Sequence, residues 1–226
     1  MNTSDIMKDY KKIQEAINNK RKMDNKHTIE LALPDKYILN TLTTYLQDIR
    51  EYDDNLYNHS ISVSAWSGYI GKVLQLDKDE IDNLYMAGAL HDIGKLFIPE
   101  EIVKKPSQLD RTERRIIESH SSFSVFYLKS SNVSTSHSFT PKILNMIECH
   151  HEELCGGGYP NRLSGNEIGT GARIVSVADK FDAYGSKRVY HSERSLDDTF
   201  AFLHYQVEAN ILDKEIVDDF VRSIVI

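Results

Sequence analysis

Hydrophobic positions recur every three or four residues along most of this chain, which is the spacing of one face of an α-helix. Segment 1–33 is polar and lysine-rich, and four apolar positions in it predict one amphipathic helix: Ile6, Tyr10, Ile13 and Ile17. Pro34 marks a boundary, and helical periodicity continues from Tyr37 with few alternating runs typical of strands. We therefore expect an all-α fold, with an N-terminal helical extension over residues 1–36 and a compact helical bundle over 37–226.

Two helix starts in the middle of the chain are marked by capping residues. Asp110 followed by Glu113 predicts a capping box, and this helix is expected to continue through His120. Thr140 before Pro141 predicts an N-cap and a proline in the first turn of the next helix. The serine-rich stretch from Ser130 to Phe139, between these two helices, is predicted to be a loop.

Length, composition and charge narrow the class of protein. With 226 residues, 40% of them hydrophobic and 27% charged, the chain suits one packed domain with a short extension. Its net charge of −7 argues against a basic face that could bind long nucleic acid. A DNA-binding regulator of the helix-turn-helix class is therefore not expected. No apolar run reaches the roughly 18 to 20 residues of a membrane span, and the polar N-terminus does not resemble a signal peptide. Cys149 and Cys155 are too few for a disulfide framework, so we expect a cytoplasmic protein with reduced thiols and no membrane insertion.

Seven histidines and aspartates fall on the apolar faces of predicted helices, where an unpaired polar group costs most. They are His59, His91, His120, His150, His151, Asp179 and Asp182. A single inward histidine is usually hydrogen-bonded in a core, but seven such residues on five helices indicate a metal centre. Histidine and carboxylate ligands without cysteine favour iron, manganese or similar ions over structural zinc.

Four motifs follow one another in the order and at the spacing of a known family. They are His91–Lys95 (HDIGK), His150–Glu152 (HHE), Gly156–Pro160 (GGGYP) and Val177–Ala183 (VADKFDA). From about Leu39 to the C-terminus the chain thus resembles the HD-GYP family. The resemblance implies a bundle of about seven helices, and a signalling phosphodiesterase that hydrolyses cyclic di-GMP to linear pGpG and sometimes on to GMP.

The resemblance also implies a site with two divalent metal ions. One ion would be held by His59, His91, Asp92 and Asp179. The second would be held by Asp92, His120, His150 and His151, so that Asp92 bridges the two. Two such ions can lower the pKa of a water and hold a phosphate oxygen. Lys95 is implied in catalysis beside Asp92, and four residues are implied in substrate binding: Lys95, Tyr159, Asp182 and Arg188.

Some positions depart from the family pattern. Asn55 stands where some members have a glutamate for a third metal ion, so we expect two ions and a reaction that stops at the linear dinucleotide. Arg188-Val189-Tyr190 and His191 replace the usual arginine-proline-tyrosine and lysine, which affects the expected nucleotide specificity. Leu154 and Cys155 replace the usual tryptophan and aspartate, which bears on any protein partner bound through the Gly158-Tyr159-Pro160 loop.

Two other functions and one question of assembly stay open at this point. The chain could be a phosphohydrolase for another nucleotide such as cyclic GMP-AMP, because fold and metals do not determine the base. It could also be a catalytically silent module that binds a ligand. The N-terminal helix can pack on the main body or pair with a second copy in a homodimer.

Overall fold

The computed structural model describes residues 1–23, 31, 33–131, 139–185 and 194–225. Throughout these ranges the regular structure is helical and contains no strand, which confirms the expected all-α class. The α-helices are α1 Thr3–Met23, α2 Lys36–Tyr52, α3 Asp54–Val73, α4 Lys78–Leu90, α5 Glu100–Val103, α6 Arg111–Glu118, α7 His120–Ser130, α8 Pro141–Glu148, α9 Thr170–Gly185, α10 Leu196–Glu208 and α11 Lys214–Val225. Two short 3-10 helices are η1 Ile93–Phe97 and η2 Gly165–Glu167. None of the helices in these ranges combines the length and low polarity needed to cross a membrane.

The predicted helix starts are present. The Asp110 side chain accepts hydrogen bonds from the backbone of Thr112 and Glu113, and the Glu113 side chain accepts one from the backbone of Asp110. The Thr140 hydroxyl caps α8, with Pro141 in its first turn.

The helix that begins after Asp110 ends sooner than its pattern indicates. It ends at Glu118, and Ser119 separates it from α7, which begins at His120. The Ser119 hydroxyl donates to the carbonyl oxygen of Ile116 at 2.6 Å, so the side chain takes over a backbone acceptor at the end of α6. This interruption places His120 at the first position of a new helix. Because of breaks of this kind, the bundle has more and shorter helices than the seven that the family resemblance implies.

Helices α3, α4 and α9 form the centre of the bundle. Helix α3 packs against both α4 and α9, and α8 packs against α4, α7 and α9. The main apolar core includes residues from all of these helices. The arrangement brings residues from the interior of α3 and α9 to the ends of α4, α7 and α8.

Helix α1 packs on the bundle rather than standing apart from it. Ile6 and Tyr10 are fully buried in the main core, and the Tyr10 hydroxyl donates to Oγ of Ser64 on α3 at 2.7 Å. Helix α1 therefore packs on the main body, which is one of the two arrangements expected for it. The boundary between residues 36 and 37 and the homodimer remain predictions.

Candidate metal centre

Seven of the predicted ligands converge at one place in the bundle. They form two groups, His59 with His91 and Asp179, and Asp92 with His120, His150 and His151; within each group the ligand atoms lie within 4.8 Å of one another. His59 and Asp179 lie inside α3 and α9. The other five lie at the ends of helices: His91 and Asp92 follow α4, His120 begins α7, and His150 and His151 follow α8.

Three imidazoles are oriented by backbone carbonyls that precede them in the chain. Nδ1 lies 2.8 Å from the carbonyl oxygen three residues earlier in His91, and 2.6 Å from it in His120 and His150. A neutral imidazole that donates from Nδ1 carries a lone pair on Nε2. Those three Nε2 atoms are buried and have no hydrogen-bond partner among the described residues. The Nε2 lone pair of each ring therefore points into the cluster without a hydrogen-bond donor from the described part of the chain, as expected of a metal ligand.

The two carboxylate oxygens of Asp92 face the two groups separately. Oδ1 lies 3.1 Å from Nε2 of His120, while Oδ2 lies 3.3 Å from Nε2 of His91 and 3.8 Å from Nε2 of His59. With the His120 proton on Nδ1, its Nε2 and Oδ1 of Asp92 are both acceptors, and two buried acceptors so close together need a cation between them. The donor set and its unsatisfied atoms therefore fit a metal centre, with Asp92 between the two groups.

Lys95 lies beside Asp92 at the edge of the cluster. Its Nζ is 2.5 Å from Oδ2 of Asp92, and its side chain is 23% exposed. Burial raises the pKa of Asp92, but the charge of Lys95 and the nearby imidazole of His91 hold that pKa well below its usual value. Gly94 lets η1 approach α7, because a Cβ at this position would overlap the carbonyl oxygen of His120.

His150 and His151 remain neutral over a wide pH range. Burial lowers the pKa of both imidazoles well below the usual value, and neighbouring imidazoles lower it further. Their ring centroids are 3.9 Å apart. Neutral rings keep the lone pairs that metal binding requires.

His59 has a different environment. Its Nδ1 lies 2.6 Å from Oδ2 of Asp182, and its Nε2 lies 3.1 Å from Oδ1 of Asp179. Burial lowers the pKa of this imidazole, but the two carboxylates outweigh that effect and raise the pKa to about 9. Asp182, for which a substrate contact is predicted, is 7% exposed and is thus engaged behind His59; its contact with substrate stays a prediction.

The glycine-rich segment after His151 forms a loop beside the cluster. The Tyr159 ring is 4.7 Å from the His151 ring and 6.2 Å from the His120 ring, centroid to centroid. Burial raises the pKa of the Tyr159 phenol, and the carboxylates Asp92 and Asp179 raise it further. Gly158 is required for the close approach of this loop, because a Cβ there would overlap the backbone of residues 151–153.

Glu152 holds this loop in place, a role that its position in the HHE motif did not reveal. It is 3% exposed, and its carboxylate accepts backbone hydrogen bonds from Asn161 at 2.6 Å and from Leu163 at 2.9 Å. The backbone N–H of Tyr159 also donates to the carbonyl oxygen of His151, at 3.2 Å. Nothing in the residue pattern indicates these long-range partners.

The remaining predicted positions do not belong to the two ligand groups or lie outside the residues that the structure describes. Arg188, the Arg188-Val189-Tyr190 segment and His191 lie outside the described residues, so their roles stay predictions. Asn55 is exposed in the first turn of α3. Both cysteines are free thiols, with Cys149 buried and Cys155 exposed.

Comparison with known proteins places these features in a family. A family model described as HD domain matches residues 44–216. The chain is 33% identical over 167 residues to a 3'3'-cGAMP-specific phosphodiesterase 1 of Vibrio cholerae serotype O1, a match that covers 74% of this chain and 37% of that protein. It is 31% identical over 185 residues to a cyclic di-GMP phosphodiesterase of Thermotoga maritima, covering 82% of this chain and 47% of that protein.

The fold is also similar to a solved structure. An HDG"Y"P protein from Bdellovibrio bacteriovorus superimposes with a TM-score of 0.61 at 15% identity, over 99% of this chain and 70% of that one. The chain spans less than half the length of the two curated relatives above. Because the family match extends over most of the helical bundle and includes all seven converging ligands, the chain belongs to the HD domain family and is of the HD-GYP type.

Proposed function

We propose that this chain is a metal-dependent phosphodiesterase that hydrolyses a cyclic dinucleotide, with cyclic di-GMP as substrate and linear pGpG as product. The observation that carries the proposal is the buried cluster in which three imidazole Nε2 atoms and Oδ1 of Asp92 have no partner among the described residues. A structural core would leave so many unsatisfied polar atoms only at a large cost in stability.

The ligand set divides between two positions that share Asp92. His59, His91 and Asp179, with Oδ2 of Asp92, would hold one divalent ion, and the remaining histidines, with Oδ1 of Asp92, would hold the other. Nitrogen and oxygen donors without thiolate suit iron or manganese. Two such ions supply the acidity that ionises a water near neutral pH and the positive charge that holds a phosphate oxygen.

The remaining residues would bind and orient the nucleotide. Lys95 is partly exposed and anchored by Asp92, so its ammonium can turn from that carboxylate to a phosphate oxygen and stabilise the charge that develops there. Tyr159 covers His151 and offers an aromatic face and a hydroxyl to the substrate. Arg188 is proposed as a phosphate or guanine contact from its place in the motif alone.

A second substrate has support from a specific comparison. One curated relative with 33% identity is named as a 3'3'-cGAMP-specific phosphodiesterase, and the chain departs from the family pattern at Arg188-Val189-Tyr190 and His191. Cyclic GMP-AMP is therefore the second candidate substrate.

One experiment separates these candidates. The chain is purified without oxygen, its bound metal is counted, and both cyclic dinucleotides are offered separately and in competition with added Mn²⁺ or Fe²⁺, with Asp92→Ala as the control. We expect turnover of cyclic di-GMP by the wild type alone, with linear pGpG accumulating. Equal rates on cyclic GMP-AMP would remove the cyclic di-GMP assignment. Rapid accumulation of GMP would contradict the proposed product. Bound metal without turnover of either dinucleotide would point to another nucleotide as substrate. Less than about half an equivalent of metal per chain, with no activity gained on adding Mn²⁺ or Fe²⁺, would favour the silent ligand-binding alternative.

A further inference from the structure

His59 differs from the neighbouring imidazoles in what its Nδ1 contacts. Nδ1 of His91, His120 and His150 each lies against a neutral backbone carbonyl. Nδ1 of His59 instead lies 2.6 Å from the carboxylate of Asp182. The two groups of ligands are therefore supported by different chemistry.

The Asp182 carboxylate is itself held by a second hydrogen bond. Its Oδ1 accepts from the hydroxyl of Ser62 at 2.5 Å, while its Oδ2 faces His59. Ser62 follows His59 by one turn on α3, and Asp182 follows Asp179 by one turn on α9. Two residues on each helix thus form one array across the α3–α9 contact.

Charge makes the two metal positions unequal. Beside the shared Asp92, the position of His59, His91 and Asp179 has two further carboxylates close to it, from Asp179 and Asp182. Among the described residues, the group of His120, His150 and His151 contains three imidazoles and a single carboxylate, that of Asp92. The ammonium of Lys95 offsets one negative charge near Oδ2 of Asp92. With His59 bound to metal as a neutral ligand, the two carboxylates of Asp179 and Asp182 still leave the first position the more negative.

We propose that the position formed by His59, His91 and Asp179 is the tighter of the two metal positions, filled first and emptied last. Asp182 is a positioning residue in this arrangement: it fixes the orientation of His59 and strengthens that imidazole as a ligand, and Ser62 holds Asp182. A carboxylate behind a metal-binding histidine typically contributes about 10- to 100-fold in metal affinity. The inference rests on the metal-binding part of the proposed function and is independent of the substrate.

The test is a metal titration of the full chain, stripped with a chelator and titrated with Mn²⁺ without nucleotide. We expect two binding steps of different affinity. In a parallel titration with diamagnetic Cd²⁺ and ¹⁵N-labelled histidine, the imidazole nitrogen signals of His59 and His91 should shift to their metal-bound positions before those of His150 and His151. Simultaneous shifts, or the reverse order, would overturn the proposal.

Asp182→Asn is the informative variant, because an amide of the same shape can still accept from His59 and bond to Ser62 while the charge is lost. It should weaken the tighter step by about 10-fold or more and leave the weaker step unchanged. Ser62→Ala should weaken the same step by a smaller factor. His150→Ala is the matched control and should remove the weaker step alone.

The outcomes separate this inference from the proposed function. Loss of affinity at the weaker step in Asp182→Asn, or no change at either step, would overturn the role of Asp182. No metal binding by the wild type would overturn both the metal centre and this inference. Two unequal steps with the expected variant effects would support the inference even if neither cyclic dinucleotide is hydrolysed.

Discussion

The metal cluster and the loop beside it are built in opposite ways. In the cluster, histidines are oriented by backbone carbonyls three residues earlier in the chain and turn unsatisfied atoms toward one another. In the loop after Gly158, one buried carboxylate from Glu152 satisfies two backbone N–H groups, and the partly exposed Tyr159 is carried over the cluster. Under the proposed function, this difference corresponds to a division of roles, in which the cluster would perform the chemistry and the loop would position the substrate.

The largest expected effect is at the residue shared by the two metal positions. Asp92→Ala should lower the hydrolysis rate by about a hundredfold or more and remove at least one metal ion per chain, because its two oxygens face both groups. Rate and metal content are measured on the same preparation. A variant with nearly wild-type rate would contradict the mechanism.

Lys95→Ala should separate rate from metal binding. Loss of the ammonium should lower kcat by about a hundredfold, since charge on the phosphate is then less stabilised, while the metal content stays unchanged. Lys95→Arg, which keeps a positive charge, is the matched comparison. If the alanine variant also loses metal, Lys95 has a structural role in supporting Asp92.

A smaller effect is expected in the loop. Glu152→Ala removes two buried hydrogen bonds to the backbone, so Tyr159 should be held less firmly and KM should rise by about tenfold with metal content and kcat nearly unchanged. The neighbouring Glu153→Ala is the control and should leave KM unchanged. A fall in kcat with no change in KM would show that the loop contributes to the chemistry rather than to substrate binding.

The smallest expected effect is a difference in chemical labelling between the two thiols that flank the HHE motif, Cys149 and Cys155. Burial raises the pKa of Cys149 to about 11, so its reactive thiolate is about a thousandth of the population at pH 8, whereas Cys155 is exposed. A maleimide reagent should therefore label Cys155 in the folded protein and Cys149 only after unfolding, as peptide mass mapping would detect. Equal labelling of both would mean that the region next to His150 opens readily.

Much of the architecture follows from local patterns in the chain. Helical periodicity predicts the all-α class, and the capping residues Asp110 and Thr140 predict two helix starts that the structure contains. Both signals depend on neighbours within one turn, so they can be read without knowing the fold. The early end of α6 could not be predicted in this way, because the residues around Ser119 retain helical spacing. The break is marked by the contacts of the Ser119 hydroxyl and backbone N–H with the carbonyl oxygen of Ile116, and these depend on the folded backbone.

For the site, the residue pattern and the family resemblance together predicted which side chains can bind metal and in what order they follow one another along the chain. Inward-facing histidines and aspartates are visible in the pattern because apolar spacing reports burial. Which atom faces which became visible only in the folded chain: the division of the Asp92 oxygens between two groups, the Glu152 contacts to the loop, and the pairing of His59 with Asp182 across 123 residues of sequence. Such pairings depend on how α3 and α9 pack, and helix packing is set by the sum of many contacts rather than by any short stretch of chain.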